Sequence, residues 1–216
     1  MQETKVKILD AAEKLFGMQG YAATSLRHIV AEADVNLAAI HYHFGSKEEL
    51  LDQLVMRKAA PVNEERLKRL DRVEAEAAGR PPRVEDVLEA FFRPVADAAD
   101  RDPQFVRMMG RIIAEGMMAG LVEKHFKEVA GRAVAVLRRA VPEIGDEEFL
   151  WRVHFMVGAL THTMCGGPDF THVGEEPGGF GRRIDRLIAF LSGGMRATAS
   201  KAAERESEQA ELPVNG

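Results

Sequence analysis

The sequence predicts an all-α protein, and three observations carry that reading. Apolar residues recur at helical spacing along nearly the whole chain. Val, Ile and Thr never alternate with polar residues over a strand-length run. Residues that start and stop helices (Ser, Asn, Asp-Pro and Gly) punctuate the chain at intervals of helix length.

In the first segment Ile8, Leu9, Ala12, Leu15 and Phe16 form the stripe of an amphipathic helix. Gly20 should end it, because glycine takes the left-handed C-cap without steric cost. Thr24 is the expected N-cap of a short second helix carrying Leu26, Ile29 and Val30. Ala33, Asp34 and Val35 make only a turn, after which Asn36 can cap a third short helix from Leu37 to about His43. Ser46 and Glu49 have capping-box spacing and begin a fourth. Four helix starts this close together describe a small, tightly turned domain over residues 1–50.

Pro61 is expected to break or kink the fourth helix, with a charged helix running on to Ala78. Gly79-Arg80-Pro81-Pro82 reads as a linker. A helix follows over 84–99, and Asp102-Pro103 reads as N-cap and first residue of the next. Gly116 and Gly120 interrupt the apolar stretch 105–121, beyond which a helix continues to Pro142. Asp146 caps a helix over 147–164, and a last helix spans 180–196. Between them, the Gly- and Pro-rich stretch 166–179 reads as a mobile loop. The expected organisation is a three-helix N-terminal domain, a larger helical domain over 51–197, and a disordered polar tail over 198–216.

Composition narrows the function classes. The 216 residues are 46% hydrophobic and 29% charged, which is globular rather than disordered composition. One cysteine, Cys165, excludes an internal disulfide framework. The opening stretch mixes charges into every turn, unlike a secretory signal, and a cytoplasmic location without a membrane span is expected. The net charge of -5 argues against a sequence-indifferent polycation that coats nucleic acid.

The second and third helices are the most informative unit. Two short helices joined by a three-residue turn, with Ile29, Val30, Val35 and Ile40 available to pack between them, fit a helix-turn-helix. In such a unit the second helix enters the DNA major groove and the first crosses the backbone. The spacing alone also allows two short helices that simply cap a core. The local sequence is more specific. The run from Thr24 to Ile29 followed by Val35 to Leu50, with Ile8–Ala12, Leu15-Phe16 and Gly20-Tyr21 before it, resembles the DNA-binding domain of the TetR family of transcriptional regulators. The resemblance covers residues 4 to about 52. It departs from the family pattern at Asp34, where the turn usually holds Gly, at Val30, where a small Ala is common, and at His41, which replaces the usual tyrosine.

What the resemblance implies can be matched with side-chain chemistry. Thr24, Ser25 and Arg27, at the start of the second helix, can hold a phosphate through hydroxyls, backbone N–H groups and a guanidinium. Tyr42, His43 and Lys47 can do the same from the other side of the groove. Asn36, Leu37, Ala38 and Ala39 open the recognition helix, where small and apolar side chains can approach closely and touch thymine methyls. His41 and Tyr42 are the polar base readers, and either can take the family's phosphate contact. Residues 1–50 carry Lys5, Lys7, Lys14, Arg27 and Lys47 against seven acidic groups, so salt dependence should be modest and affinity should need a dimer on two half-sites.

The rest of the chain has no Walker loop, dinucleotide-binding glycine pattern or metalloprotease motif, so neither an enzyme nor a cofactor is expected. His162 and Cys165 share a helical face but lack further ligands at metal spacing. Soft apolar bulk is abundant instead. Phe91, Phe92, Met108, Met109, Ile112, Met117, Met118, Phe126, Trp151 and Phe155 are the candidate ligand-binding residues, with plain core as the competing reading. Arg111, His125, His154 and His162 can orient a ligand head group. Two stripes are candidates for a four-helix dimer interface: Phe149, Val153, Met156, Val157, Leu160 and Met164, then Ile184, Leu187, Ile188, Leu191 and Met195. By family resemblance the expected function is a homodimeric repressor of a palindromic DNA operator, released by a small hydrophobic or amphipathic effector. An activator, and a helical enzyme or binding module whose DNA motif is unused, are the alternatives.

Overall fold

The computed structural model describes residues 2–165 and 179–198. The loop expected over 166–179, apart from Gly179, and the tail after Thr198 lie outside them, as do the side chains of Met118 and Cys165. The described residues form α-helices and turns with no strand, as the sequence predicts.

Three helices, α1 (Gln2–Gln19), α2 (Leu26–Ala33) and α3 (Leu37–Phe44), enclose Ile8, Phe16, Ile29 and Ile40, none of which reaches solvent. Complete burial of each such side chain contributes about 1.5–3 kcal/mol. Gly20 ends α1 at φ +87°, the left-handed conformation expected of it. The N-cap of α2 is Ser25 and not Thr24. Ser25 Oγ accepts from His28 N (3.2 Å) while His28 Nδ1 accepts from Ser25 N (3.4 Å), a reciprocal cap that gives His28 a structural role. Thr24 is turned inward instead, where its hydroxyl donates to Gly20 O (2.7 Å) and accepts from Gln19 Nε2 (3.1 Å).

The next helix, α4 (Lys47–Ala77), begins at the Ser46 N-cap and runs unbroken through Pro61. The expectation of a break there is corrected. Proline removes one N–H and costs about 3 kcal/mol in a helix, but Leu54, Val55, Ala59 and Val62 bury the helix on both sides of it. Packing therefore outweighs the local penalty. Helix α5 (Val84–Arg101) follows the Gly79 turn and likewise contains a proline, Pro94.

The interruption expected at Gly116 and Gly120 is present, and the stretch from 103 to 140 falls into four pieces. Helix α6 (Pro103–Ala114), capped by Asp102, stops before Gly116 at φ +80°. A short α7 (Met118–Leu121), a π turn (Val122–Phe126) and α8 (Lys127–Ala140) complete the stretch. Helices α9 (Asp146–Cys165) and α10 (Gly179–Arg196) close the body, with α10 lying along α5 and α9 against α6. Arg152 ties the last two together, donating through Nη1 to the carbonyls of Met195 and Ala197 at the α10 C-terminus. No helix among the described residues is long and apolar enough to cross a membrane.

Two apolar cores result. The first joins α1–α3 to the start of α4, the end of α5 and α6; the second joins the rest of α4 and α5 to α8, α9 and α10. Because α4 begins at Lys47, the boundary expected at 50–51 falls inside one helix. The N-terminal unit and the body thus share a rigid element.

Candidate nucleic-acid interface and effector cavity

The turn between α2 and α3 is held by Asp34, in the left-handed region at φ 52°, ψ 53°, with its N–H on Val30 O. A short polar side chain tolerates that conformation best after glycine. Helix α3 then faces its two sides differently. Ile40 and Phe44 are buried, while Leu37, Ala38, His41 and Tyr42 point outward, Tyr42 with 72% of its surface exposed. Ala39 and His43 are half-buried. Asn36 is the helix cap, its Oδ1 accepting from Ala39 N (2.9 Å), and His41 Nδ1 lies 3.0 Å from Gly45 O. The imidazole of His43 meets the Tyr42 ring edge-on at 5.0 Å.

The flanking donors are sorted by the same packing. Ser25 and Arg27 are exposed at the α2 N-terminus, and Arg27 has no ion pair among the described residues. Thr24 is 1% exposed and cannot offer its hydroxyl to a phosphate. Lys47 is turned inward as well. Its Nζ donates to Tyr21 O (2.8 Å) and Thr24 O (2.7 Å) and sits 3.9 Å from the Tyr21 ring centroid. Burial and the neighbouring Glu48 carboxylate push the Tyr21 phenol well above its usual pKa, so the ring stays neutral under this ammonium. Lys47 therefore braces the loop that presents Ser25 and Arg27.

Glu115, which no local sequence signal marks, grips that loop from the body. At the C-terminal end of α6, its two carboxylate oxygens accept from the backbone N–H groups of Tyr21 and Ala22, each at 3.1 Å. A Cβ on Gly20 would lie 2.0 Å from Glu115 Oε1, and the φ of Gly20 is strained for any other residue. Gly20→Ala is therefore expected to displace Glu115 and destabilise the protein by about 1–3 kcal/mol, read from a urea melt. A melt unchanged from wild type would show that the clamp contributes nothing.

Behind this unit the body encloses an apolar cavity of about 300 Å³ between α4, α5, α6, α8 and α9. Of the expected ligand-binding residues, Phe91, Met109 and Phe126 lie on its wall. The others described lie elsewhere, a correction to the expected pocket. Phe92, Met108 and Ile112 are sealed in the two cores because they occupy the opposite faces of α5 and α6, and Met117 packs on the first core. Trp151 and Phe155 are on the outer face of α9, 52% and 62% exposed. None of the four head-group candidates reaches the wall: His154 stands edge-on to Trp151, His162 is exposed, Arg111 is half-buried, and His125 is turned toward Asp52.

Among the described residues the wall carries one charged side chain, Arg66, on α4. Its position on the apolar stripe Val62, Arg66, Leu70 is the sequence signal that could have found it. A hydrogen-bonded chain leads from it toward the N-terminal unit: Arg66 Nη1 to Asn63 Oδ1 (3.1 Å), Asn63 Nδ2 to His125 O (2.9 Å), and His125 Nε2 to Asp52 Oδ1 (2.9 Å). Asp52 belongs to the first turns of α4, next to the helix-turn-helix. Burial pushes its carboxyl up, but His125 and Lys124 outweigh this and hold it below the usual value.

Most of the side chains in the stripes expected to pair across a dimer turn inward. Phe149, Met156, Ile184, Leu187, Ile188, Leu191 and Met195 are buried in the second core, while Val153, Leu160 and Met164 face the cavity. Val157, also on the wall, is 40% exposed. The bare apolar surface is the opposite one: Leu150, Trp151 and Phe155 on α9, and Phe190 on α10.

Comparison with known proteins agrees with these features. The sequence profile of the bacterial regulatory proteins, tetR family, matches residues 8–54, and that of the tetracyclin repressor-like C-terminal domain matches residues 89–194. The HTH-type transcriptional repressor NicS of Pseudomonas putida is 32% identical over 153 residues, 69% of this chain and 66% of that protein. An HTH-type transcriptional repressor of Mycobacterium tuberculosis is 31% identical over 144 residues, 67% of this chain and 64% of that one. The chain thus spans just under two thirds of the length of these curated relatives. A TetR-like transcriptional regulator from Rhodococcus sp. RHA1 has the same fold, with a TM-score of 0.57 at 16% identity over 89% of this chain and 93% of that chain.

Proposed function

The chain belongs to the tetR family of bacterial transcriptional regulators, and from that premise we propose that it is a homodimeric cytoplasmic repressor released from a palindromic operator by a small hydrophobic or amphipathic effector. The observation that supports this most directly is the outward face of α3. Leu37, Ala38, His41 and Tyr42 stand clear of the core, on a helix held rigidly by Asn36, Asp34 and the buried Ile40 and Phe44. Such a face can enter a major groove, with Ser25 and Arg27 on the adjacent backbone. His41 and Tyr42 supply the hydrogen-bonding groups, and Leu37 and Ala38 the close apolar contact.

Effector control requires only that the ligand bind the DNA-incompetent arrangement better than the competent one. Two rigid connections support transmission. Helix α4 carries both Lys47 under the DNA-facing loop and Arg66 on the cavity wall, and α6 carries both Met109 on that wall and, at its end, Glu115 on the same loop.

An operator selected from randomised DNA tests the site. Tyr42→Ala is expected to weaken it roughly tenfold, the effect of one lost side-chain contact. Lys47→Ala should weaken it by a similar factor, by loosening the loop rather than by losing a phosphate directly. Both variants binding like wild type would overturn the assignment of this face.

A further inference from the structure

Arg66 is an unusual residue to find on a cavity wall. It is 6% exposed, and no carboxylate pairs with it among the described residues. Its guanidinium makes two hydrogen bonds, both to neutral acceptors: Nε to Phe91 O (2.9 Å) and Nη1 to Asn63 Oδ1 (3.1 Å). The Phe91 ring lies 4.2 Å away, centroid to guanidinium carbon. Burial pulls its pKa down to about 10, which leaves it cationic at neutral pH. Among the described residues the other buried charges have partners: Arg152 has Glu148, and Glu13 has the half-buried Lys58. A buried cation without a counter-ion is costly and rare.

The rest of the wall offers it nothing. Among the described residues, the remaining lining side chains are apolar apart from Thr161, whose hydroxyl is already given to Val157 O (2.8 Å) on its own helix. A molecule filling this space therefore meets hydrocarbon on nearly every side and, at one side, one planar cation with two of its N–H groups already given to Phe91 O and Asn63 Oδ1 and the rest of its fork left over. That is the complement of an apolar body ending in a carboxylate, because the guanidinium fork matches the two oxygens of a carboxylate.

We propose that the cavity binds an organic carboxylate, an aliphatic or aromatic acid of modest size, with Arg66 as its counter-ion. This rests on reading the cavity as the effector site and adds the chemical class of the effector. The ligand's charge compensates the buried guanidinium, so affinity depends on the anion and not only on apolar contact. Through Asn63 and the carbonyl of His125, a shift of the guanidinium toward the carboxylate also bears on the π turn that holds Asp52.

Matched probes test this on the full-length protein: octanoate beside octanol, and butylbenzoate beside butylbenzyl alcohol, by calorimetry and thermal shift. Wild type is expected to bind each acid anion about ten- to a hundredfold tighter than its alcohol, the range of one charge-assisted hydrogen-bonded pair. Arg66→Gln should bind the alcohols as before and lose the preference for the anions, with an unliganded Tm equal to or above that of wild type. A purely carbonyl-capping role would lower that Tm. Arg66→Lys, which keeps the charge without the fork, should retain part of the preference, and serves if the glutamine variant does not fold. Equal binding of anion and alcohol by wild type, or full preference in both variants, would overturn the inference while leaving the effector cavity in place. Binding of neither member of either pair would overturn both.

Discussion

Phe155→Glu combined with Phe190→Glu is expected to give a folded monomer that has lost about two to four orders of magnitude in operator affinity. Helix α9 carries large apolar side chains in three directions, with Phe149 and Met156 toward the core, Val153 and Leu160 toward the cavity, and Leu150, Trp151 and Phe155 toward solvent. A helix of that kind is ordinarily covered all round. Its bare face adjoins α10, where Phe190 is 74% exposed beside the small residues Ala189, Gly193 and Gly194, which let another helix approach closely. A second copy of the same pair of helices would complete a four-helix bundle. Each glutamate would then have to be buried, whereas in the monomer both positions are already in water. Fold and dimerisation are therefore separable: circular dichroism should be unchanged while sedimentation reports a monomer. Affinity falls steeply because the second half-site is no longer bound intramolecularly. A double variant that stays dimeric would place the interface elsewhere.

Lys58→Met is expected to destabilise the protein by about 2–4 kcal/mol, less than the loss of a fully buried partner because Asp102 is partly exposed. Lys58 Nζ lies 2.8 Å from Glu13 Oε2 on α1 and 2.5 Å from Asp102 Oδ2, the cap of α6. Glu13 is buried, and its Oε1 has no hydrogen-bond partner among the described residues. Removing the ammonium leaves two neighbouring carboxylates facing each other across the joint between the DNA-facing unit and the body. Burial raises the Glu13 pKa even with Lys58 present, so Glu13 binds its proton more readily in the folded than in the unfolded chain, and the stability this contributes at low pH is lost as pH rises through that raised value. Loss of Lys58 raises it further. The deficit of the variant should accordingly narrow on acidification, in urea melts run from neutral to mildly acidic pH. A deficit that widens instead would show that the lysine is not compensating Glu13.

Much of the N-terminal unit was legible because its determinants are local. Asn36 and Ser46 cap helices by bonding three residues ahead, as Asp102 does in the body, and Asp34 takes the left-handed turn by its own backbone preference. Where two neighbours compete for one local role, spacing does not choose: Thr24 and Ser25 are both able caps, and packing against Gly20 and Gln19 removed Thr24 from the surface. Pro61 shows the same limit, since its penalty is local and the contacts that override it are not.

Helical periodicity and capping chemistry were enough to establish an all-α chain and its short N-terminal helices, and the family resemblance of residues 4 to about 52 identified two of them as a helix-turn-helix. They could not say which apolar face meets what. On α9 and α10 every candidate stripe is apolar enough to be core, cavity wall or interface, and that choice depends on neighbours far away in the chain. The residues that give the body its chemistry are of this kind. Arg66 finds Phe91 twenty-five positions on, and Glu115 reaches Ala22 across ninety-three. Neither a buried uncompensated cation nor a carboxylate on a backbone turn is visible until the helices around them have packed, because burial and counter-charge are properties of the assembled core and not of the segment.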